Sequence, residues 1–302
     1  MSLEMLGRYR NGNYSVVLLS DGTKIRRTEE DEFIPAFAEN CDVKITDRCD
    51  GSCAWCYEGC SPQGKHGNIL NQKFLDTLHP YTELAINGND LSHPDLIPFL
   101  EKLRECKVIT NMTVNQIHFE KYQDYIRYLI DEKLIYGIGI SLREPTEEFV
   151  KLVQQYPNAV IHVINGVLEP TDVEVLRDND LKILILGYKH LRRGNDYYSI
   201  AGEKIRQNQE WLKENLDGIL EMFKVVSFDN LALEQLDTRR LLSDEEWEEF
   251  YMGADSEFTY YIDLVDQKFS KNSISPIEER YDLMDSVDEM FERIRLKKNA
   301  IN

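Results

Sequence analysis

Basic residues are scarce, cysteine is missing after position 106, and long hydrophobic runs are absent; each shortage removes a class of function. Against 54 Asp and Glu there are 35 Lys and Arg, a formal charge of −19. Repulsion from a polyanion argues against tight, sequence-independent binding to DNA or RNA, though not against a mononucleotide ligand. No apolar run approaches the roughly 18–20 residues of a membrane helix, so no membrane association is expected. The opening Met-Ser-Leu-Glu-Met-Leu-Gly-Arg lacks the basic region and apolar core of a secretory signal. The expected location is therefore a reducing cytoplasm. No internal repeat and no low-complexity tract occurs.

What is present is a regular alternation of strand-like and helix-like segments. Residues 13–27 read as a hairpin around Asp21-Gly22. From residue 41 the expected strands are 41–46, 83–87, 107–114, 136–141, 159–164 and 181–186, with a further one at 223–228. Helices are expected at 70–79, 94–105, 116–133, 146–155, 171–177 and 201–215. Strands separated by single helices imply right-handed parallel βαβ units. The expected fold class is α/β, a partial (β/α)6 barrel with an N-terminal β-hairpin and a mostly helical C-terminal extension. A doubly wound open sheet competes with it. The implied division is 1–40, 41–230 and 231–302. In the last part, Ser243-Asp-Glu-Glu reads as a capped helix start, 258–265 as a strand and 277–296 as a long charged helix.

Four of the six cysteines, Cys49, Cys53, Cys56 and Cys60, fall within twelve residues. In a chain of this size such clustering points to metal or redox chemistry before disulfides. Cys49-Asp-Gly-Ser-Cys53-Ala-Trp-Cys56 is a C-x3-C-x2-C spacing in the loop after the first barrel strand. Three thiolates leave one iron of a cubane open to a small chelating molecule. Gly51 and Ser52 let the chain wrap closely around an inorganic core, and Trp55 offers a flat apolar wall. Zinc is the competing ligand, with Cys60 or His66 as a fourth donor, although zinc sites are usually built from two paired elements. Cys41 and Cys106, at strand starts, read as packing residues.

The C-x3-C-x-aromatic-C arrangement resembles the signature of the radical S-adenosylmethionine (SAM) superfamily. That resemblance implies that Cys49, Cys53 and Cys56 hold one [4Fe–4S] cluster whose open iron chelates SAM. It further implies reductive cleavage of SAM to a 5′-deoxyadenosyl radical, which abstracts hydrogen from an organic substrate. No cysteine follows Cys106, so no auxiliary-cluster module of the kind seen in many peptide-modifying members is expected.

The resemblance covers about residues 41–190 and names further positions. Trp55 and Tyr57 belong to the cofactor loop. Asn87-Gly88-Asn89-Asp90 resembles the element that meets the methionyl amino group, with Asn87 in place of a glycine and Asn89 in place of a glutamate. The same stretch also reads as a plain turn. Ser141 and Arg143 resemble the ribose- and carboxylate-binding position; Arg143 otherwise pairs with Glu144 or Glu147. Ile164, Gly166 and Glu169 resemble the element beside the adenine, with His162 where the family has a glycine. Glu169 also reads as a helix-entry residue.

Asn111, Thr113 and Asn115 share one face of a strand and, with Lys189 and His190, are the expected substrate contacts. Bonding to loop backbone is the alternative for each asparagine. Cys60 is a candidate hydrogen-atom donor or an incidental thiol. The implied partners are a substrate, a peptide or amino-acid derivative before a nucleoside or nucleotide, and an external one-electron donor such as flavodoxin or ferredoxin. Two readings of other classes remain: a zinc-stabilised binding module, and a cluster-binding scaffold without catalysis.

Overall fold

The computed structural model describes residues 3–87 and 91–299, and the side chains of 3–87 and 91–295. Three antiparallel strands come first: β1 (Met5–Asn11), β2 (Tyr14–Leu19) and β3 (Lys24–Arg27), paired in the order β1-β2-β3. The expected hairpin is thus β2–β3, widened by a strand that the sequence reading did not include. Its buried Tyr14, Val16 and Leu18 alternate with less buried residues, the period of two expected of a half-buried strand.

The central sheet follows. Strands β4 (Asn40–Lys44), β5 (Glu83–Asn87), β6 (Ile109–Asn115), β7 (Gly137–Ser141), β8 (Ala159–Ile164), β9 (Lys182–Leu186) and β10 (Val225–Phe228) pair in parallel, each beside the next. The connections carry α1 (Leu96–Glu105), α2 (Gln116–Lys121), α3 (Gln123–Asp131), α4 (Glu147–Val153), α5 (Pro170–Leu176) and α6 (Arg193–Glu221); α7 (Asn230–Leu236) and α8 (Asp244–Phe250) follow β10. The α/β class with a mostly parallel sheet stands as expected. The sheet has two edges, β10 and a C-terminal strand, and does not close on itself.

Three expected elements differ. Residues 70–79 form only a 3-10 turn at Lys73–Thr77, since Asn68, Asn71 and Gln72 bond among themselves and to backbone instead of joining a helix. The stretch 116–133 divides into α2 and α3 at Tyr122. The long helix expected at 277–296 is instead a 3-10 turn at Ile277–Glu279, a short strand β13 (Tyr281–Asp282) and the helix α9 (Val287–Asn299). The C-terminal stretch also supplies β11 (Thr259–Asp263) and β12 (Lys268–Ser270). β11 runs parallel to β4 along its full length, and β12 and β13 continue the sheet antiparallel. The extension is therefore not simply helical: it covers what would be the open edge of β4.

The two faces of the sheet differ in kind. One presents Val43, Leu84, Ile86, Met112, Val114, Ile138, Ile140, Ile161, Val163, Ile183 and Ile185 to the flanking helices, forming one continuous apolar core. Burying side chains of this size is worth about 1.5–3 kcal/mol each, the main stabilisation of the sheet. The alternate residues form a second face in register: Asp42, Ala85, Asn111 and Gly137 in one row, Lys44, Asn87, Thr113 and Gly139 in the next. A third row holds Asn115, Ser141, His162 and Leu184. None of these belongs to the apolar core.

The N-terminal sheet lies across the entry ends of the parallel strands. Asn158, before β8, donates to the Ser20 carbonyl at 2.9 Å, and Lys24 pairs with Glu83 of β5 at 2.5 Å. Buried Glu39 joins Lys24 at 3.2 Å, Arg26 at 2.9 Å and the Tyr14 hydroxyl at 2.5 Å. A carboxylate so deeply placed is tolerable because two cations and a hydroxyl satisfy it.

Candidate functional site

The cysteine loop leaves the carboxyl end of β4 and is anchored from below by a buried lysine. Lys44 is 1% exposed and reaches Asp47 at 2.6 Å, Glu58 at 3.0 Å and Asp263 at 3.5 Å. Burial alone would pull its ammonium down, but Glu58, Asp263 and Asp47 hold it well above the ordinary lysine value. Asp263, fully buried at the end of β11, also binds Arg280 at 3.1 Å. Strand β4, the C-terminal strands and Glu58 of the cysteine loop are thus tied by one charged network. Arg192 bonds the Glu58 carbonyl and lies 3.5 Å from its carboxylate, adding a clamp from the loop after β9.

Within the loop, the thiols are met by N–H donors. The Gly51 amide lies 3.4 Å from Cys49 Sγ. Asn115, at the end of β6, donates through Nδ2 to Cys53 Sγ at 3.3 Å, while its Oδ1 caps α2 at the Ile117 amide. Arg143, beyond β7, donates to the Gly51 carbonyl and, at 3.1 Å, to Cys53 Sγ. The Cys56 thiol is drawn well below its ordinary value, first by the Cys60 thiol donating to it, against burial, with Arg193 adding a further bond. Cys60 is correspondingly pushed up by that bond and by burial. None of the six cysteines is in a disulfide.

A metal-binding loop must present sulfurs as thiolates, and this donor set suits them. Charge-assisted N–H bonds to sulfur lower the cost of the anionic form. Gly51 matters for space: a Cβ there would stand 3.3 Å from both Cys49 Sγ and Asn115 Nδ2, crowding the sulfur-lined cradle. Among the described residues, no three His, Cys, Asp or Glu side chains converge as they would around a single metal ion. A cubane asks for a different arrangement, with each thiolate binding its own iron and the sulfurs surrounding a volume.

The other expected positions separate into two groups. Trp55 lies under the Arg143 guanidinium, 5.6 Å from its ring centre, and 5.9 Å from Tyr197. Tyr57 carries the Lys189 ammonium 4.1 Å above its ring and bonds Ser273 at 3.3 Å. Asn87, Asn111, Thr113, Ser141 and Ile164 all fall on the second, polar face of the sheet. Asn115 also belongs to that face, but its side chain serves the cysteine loop. Gly88, Asn89 and Asp90 lie outside the described residues.

Glu169 and Gly166 are placed differently. Glu169 precedes Pro170 at the start of α5, its amide held by Asp172 at 2.9 Å and its carboxylate paired with Lys204. This is the helix-entry role that its sequence context also allowed. Gly166 turns the chain tightly against Ile205 of α6. His190 stands exposed between the rings of Tyr188 and Tyr198, at 5.1 and 4.4 Å. Cys60 is buried against Cys56.

Several contributors were missed. Gln116, following Asn115, accepts the Arg143 and Glu144 amides at 2.8 and 3.1 Å and donates to the Glu144 carbonyl, fixing the turn that aims Arg143. His118, buried in α2, bonds Asp50 between the first two cysteines and holds that carboxyl below its ordinary value. Lys44 had one visible signal, a charged residue between the apolar Val43 and Ile45; Gln116 and His118 had none. A cleft of about 480 Å³ opens beside Trp55 and Arg143, between α2 and α4, on the helical side of the cysteine loop. No protein-family model matches the chain, and no curated protein matches it significantly.

Proposed function

We propose that this chain is a radical SAM enzyme in which Cys49, Cys53 and Cys56 hold one [4Fe–4S] cluster above the open face of a partial (β/α) barrel. The observation that carries the reading is the convergence on Cys53 of Asn115 and Arg143, sent from the ends of two neighbouring strands. Three cysteines in a turn are common; sulfurs supplied with N–H donors from the surrounding strand ends are what a reducible cluster needs. When bound, the cluster would supply the electron that splits the SAM sulfonium, and the adenosyl fragment would take hydrogen from the substrate.

The chain's own residues have definable work in that reading. Arg143 holds the loop backbone at Gly51 and places positive charge beside Cys53. Trp55 walls the cluster from water on the cleft side. Asn87 and Ser141, at strand ends on the polar face, are placed to bond the amino and ribose groups of SAM. The partial-barrel description is supported by an apolar core on one face of the sheet and polar residues in register on the other. Parallel sheets are ordinarily covered by apolar packing on both faces, so a polar second face suits one that substrate and SAM occupy. A peptide or amino-acid derivative remains the favoured substrate and a nucleoside or nucleotide the second, with flavodoxin or ferredoxin as electron donor in a reducing cytoplasm. No helix among the described residues is long and apolar enough to cross a membrane.

One observation favours a second reading. Cys60 is buried in the same loop beside Cys56, and a four-cysteine zinc site would take it as the fourth ligand. Metal content of two variants separates the readings. Cys53→Ala is expected to abolish iron incorporation, whereas Cys60→Ala retains it. Full iron in the first variant would refute the cluster assignment, and zinc lost from the second would establish the four-cysteine site.

A further inference from the structure

Two titratable side chains on the polar face have no hydrogen-bond or ion-pair partner among the described residues: the carboxylate of Asp42 on β4 and the imidazole of His162 on β8. The charged groups around them are already engaged. Lys44 is held by three carboxylates. Asp229 caps α7 and accepts the Gly187 amide at 2.8 Å. Asp255 accepts from Asn230 at 2.7 Å and Asn272 at 2.5 Å. Lys189 sits over the Tyr57 ring and 3.9 Å from Asp229.

The strand beside His162 is built to let the imidazole in. A Cβ on Gly139 would stand 2.4 Å from His162 Cε1 and 2.9 Å from Thr113 Oγ1, so the glycine allows the ring to lie across β7 toward β6. Burial, then Lys189, pushes His162 down to about 4, which leaves it uncharged at neutral pH. The Asp42 carboxyl is pushed up to about 6 by burial, with Lys189 opposing and Asp255 and Asp229 adding to the rise. The charges acting around Asp42 are thus two further carboxylates against one ammonium that is itself drawn toward Asp229.

An anionic group placed here would meet net repulsion. A neutral group would leave the recessed Asp42 charge uncompensated, which is costly. A cation with N–H donors would satisfy it. We propose that Asp42 anchors a protonated amine of the substrate, with His162, reaching across Gly139, bonding a separate polar group of the same molecule. The proposal rests on the reading of the polar face as the substrate face, and it narrows the substrate class to molecules that carry a cationic nitrogen.

The test is isothermal titration of the anaerobically reconstituted protein, with SAM present and about 0.15 M salt to screen the net charge. The probes are N-acetyl-lysine methylamide and its neutral counterpart, N-acetyl-norleucine methylamide. The lysine compound is expected to bind about tenfold or more tightly than the neutral one, the weight of one charge-assisted bond. Asp42→Asn is expected to erase that preference and Asp42→Glu to keep most of it, with circular dichroism confirming that both variants fold. Equal affinities in the unmodified protein, no binding of the lysine compound, or a preference that persists in Asp42→Asn would overturn the proposal. Visible absorbance of the same samples reports the cluster independently. A colourless protein that still prefers the amine would sink the cofactor reading alone, and a brown one without the preference would sink this inference alone.

Discussion

At the scale of single residues, the site is a set of side chains whose stability cost is offset by their use. Lys44 and Glu39 are buried charges that the fold satisfies with several partners. Asp42 is a charge left unsatisfied. Its folded carboxyl, pushed up to about 6 from the ordinary 3.8, keeps its proton to a higher pH than in the unfolded chain. Between those two values the folded state binds more protons, so stability falls as pH rises; the cost is complete above about pH 6 and absent below about pH 4. Asp42→Asn is therefore expected to stabilise the ligand-free protein by about 2–3 kcal/mol at pH 7.5. Near pH 4 the gain should vanish. Denaturant titrations at the two pH values check this, and an equal effect at both would show that ionisation of Asp42 is not its origin.

At the scale of elements, the sequence was most informative where hydrophobic period and turn residues agreed. The expected strands 83–87 and 159–164 coincide with β5 and β8, because each alternates apolar residues between firm breaks. The capped start at Ser243 is present as a full capping box on α8. The segment 277–296 failed because its charged residues suit a helix locally, while Phe269 and Tyr281 pair β12 with β13 across long sequence separation. Such pairing leaves no local trace. The network joining β4 to β11 was likewise illegible, since Lys44 and Asp263 are more than two hundred residues apart. It gives the C-terminal strands a definite task, holding the base of the cysteine loop. Removing the cation strands several carboxylates in a dry site, so Lys44→Met is expected to cost about 3–5 kcal/mol. A chemical denaturation midpoint unchanged from the parent would contradict that role.

At the scale of the whole molecule, the architecture is a mostly parallel sheet with an apolar side packed by helices and a polar second side. The N-terminal sheet lies across its lower end and the cysteine loop across its upper end. The α/β class and the parallel strands were legible from alternation alone; their sequential order in the sheet was not, since a doubly wound sheet alternates in the same way. The C-terminal strands that complete the sheet beyond β4 were only partly so, and the degree of curvature cannot be read from periodicity at all. Of the candidate site, sequence placed the cysteine loop, Asn115 and Arg143 in one region through strand ends. Asn115, expected among the substrate contacts, bonds Cys53 in the structure, because a residue type does not reveal which neighbour its amide meets. The fold explains why Glu169 answers to a helix and His162 to the open face: one lies beyond the strand, the other within it.

The central claim is that the cysteine loop holds a catalytic iron–sulfur cluster. The most direct test is anaerobic purification and reconstitution, with iron, sulfide and zinc analysis, followed by dithionite and SAM. The account predicts brown protein with about four iron per chain, as a single cubane requires, and release of 5′-deoxyadenosine. Colourless protein with one zinc and no nucleoside product would contradict it.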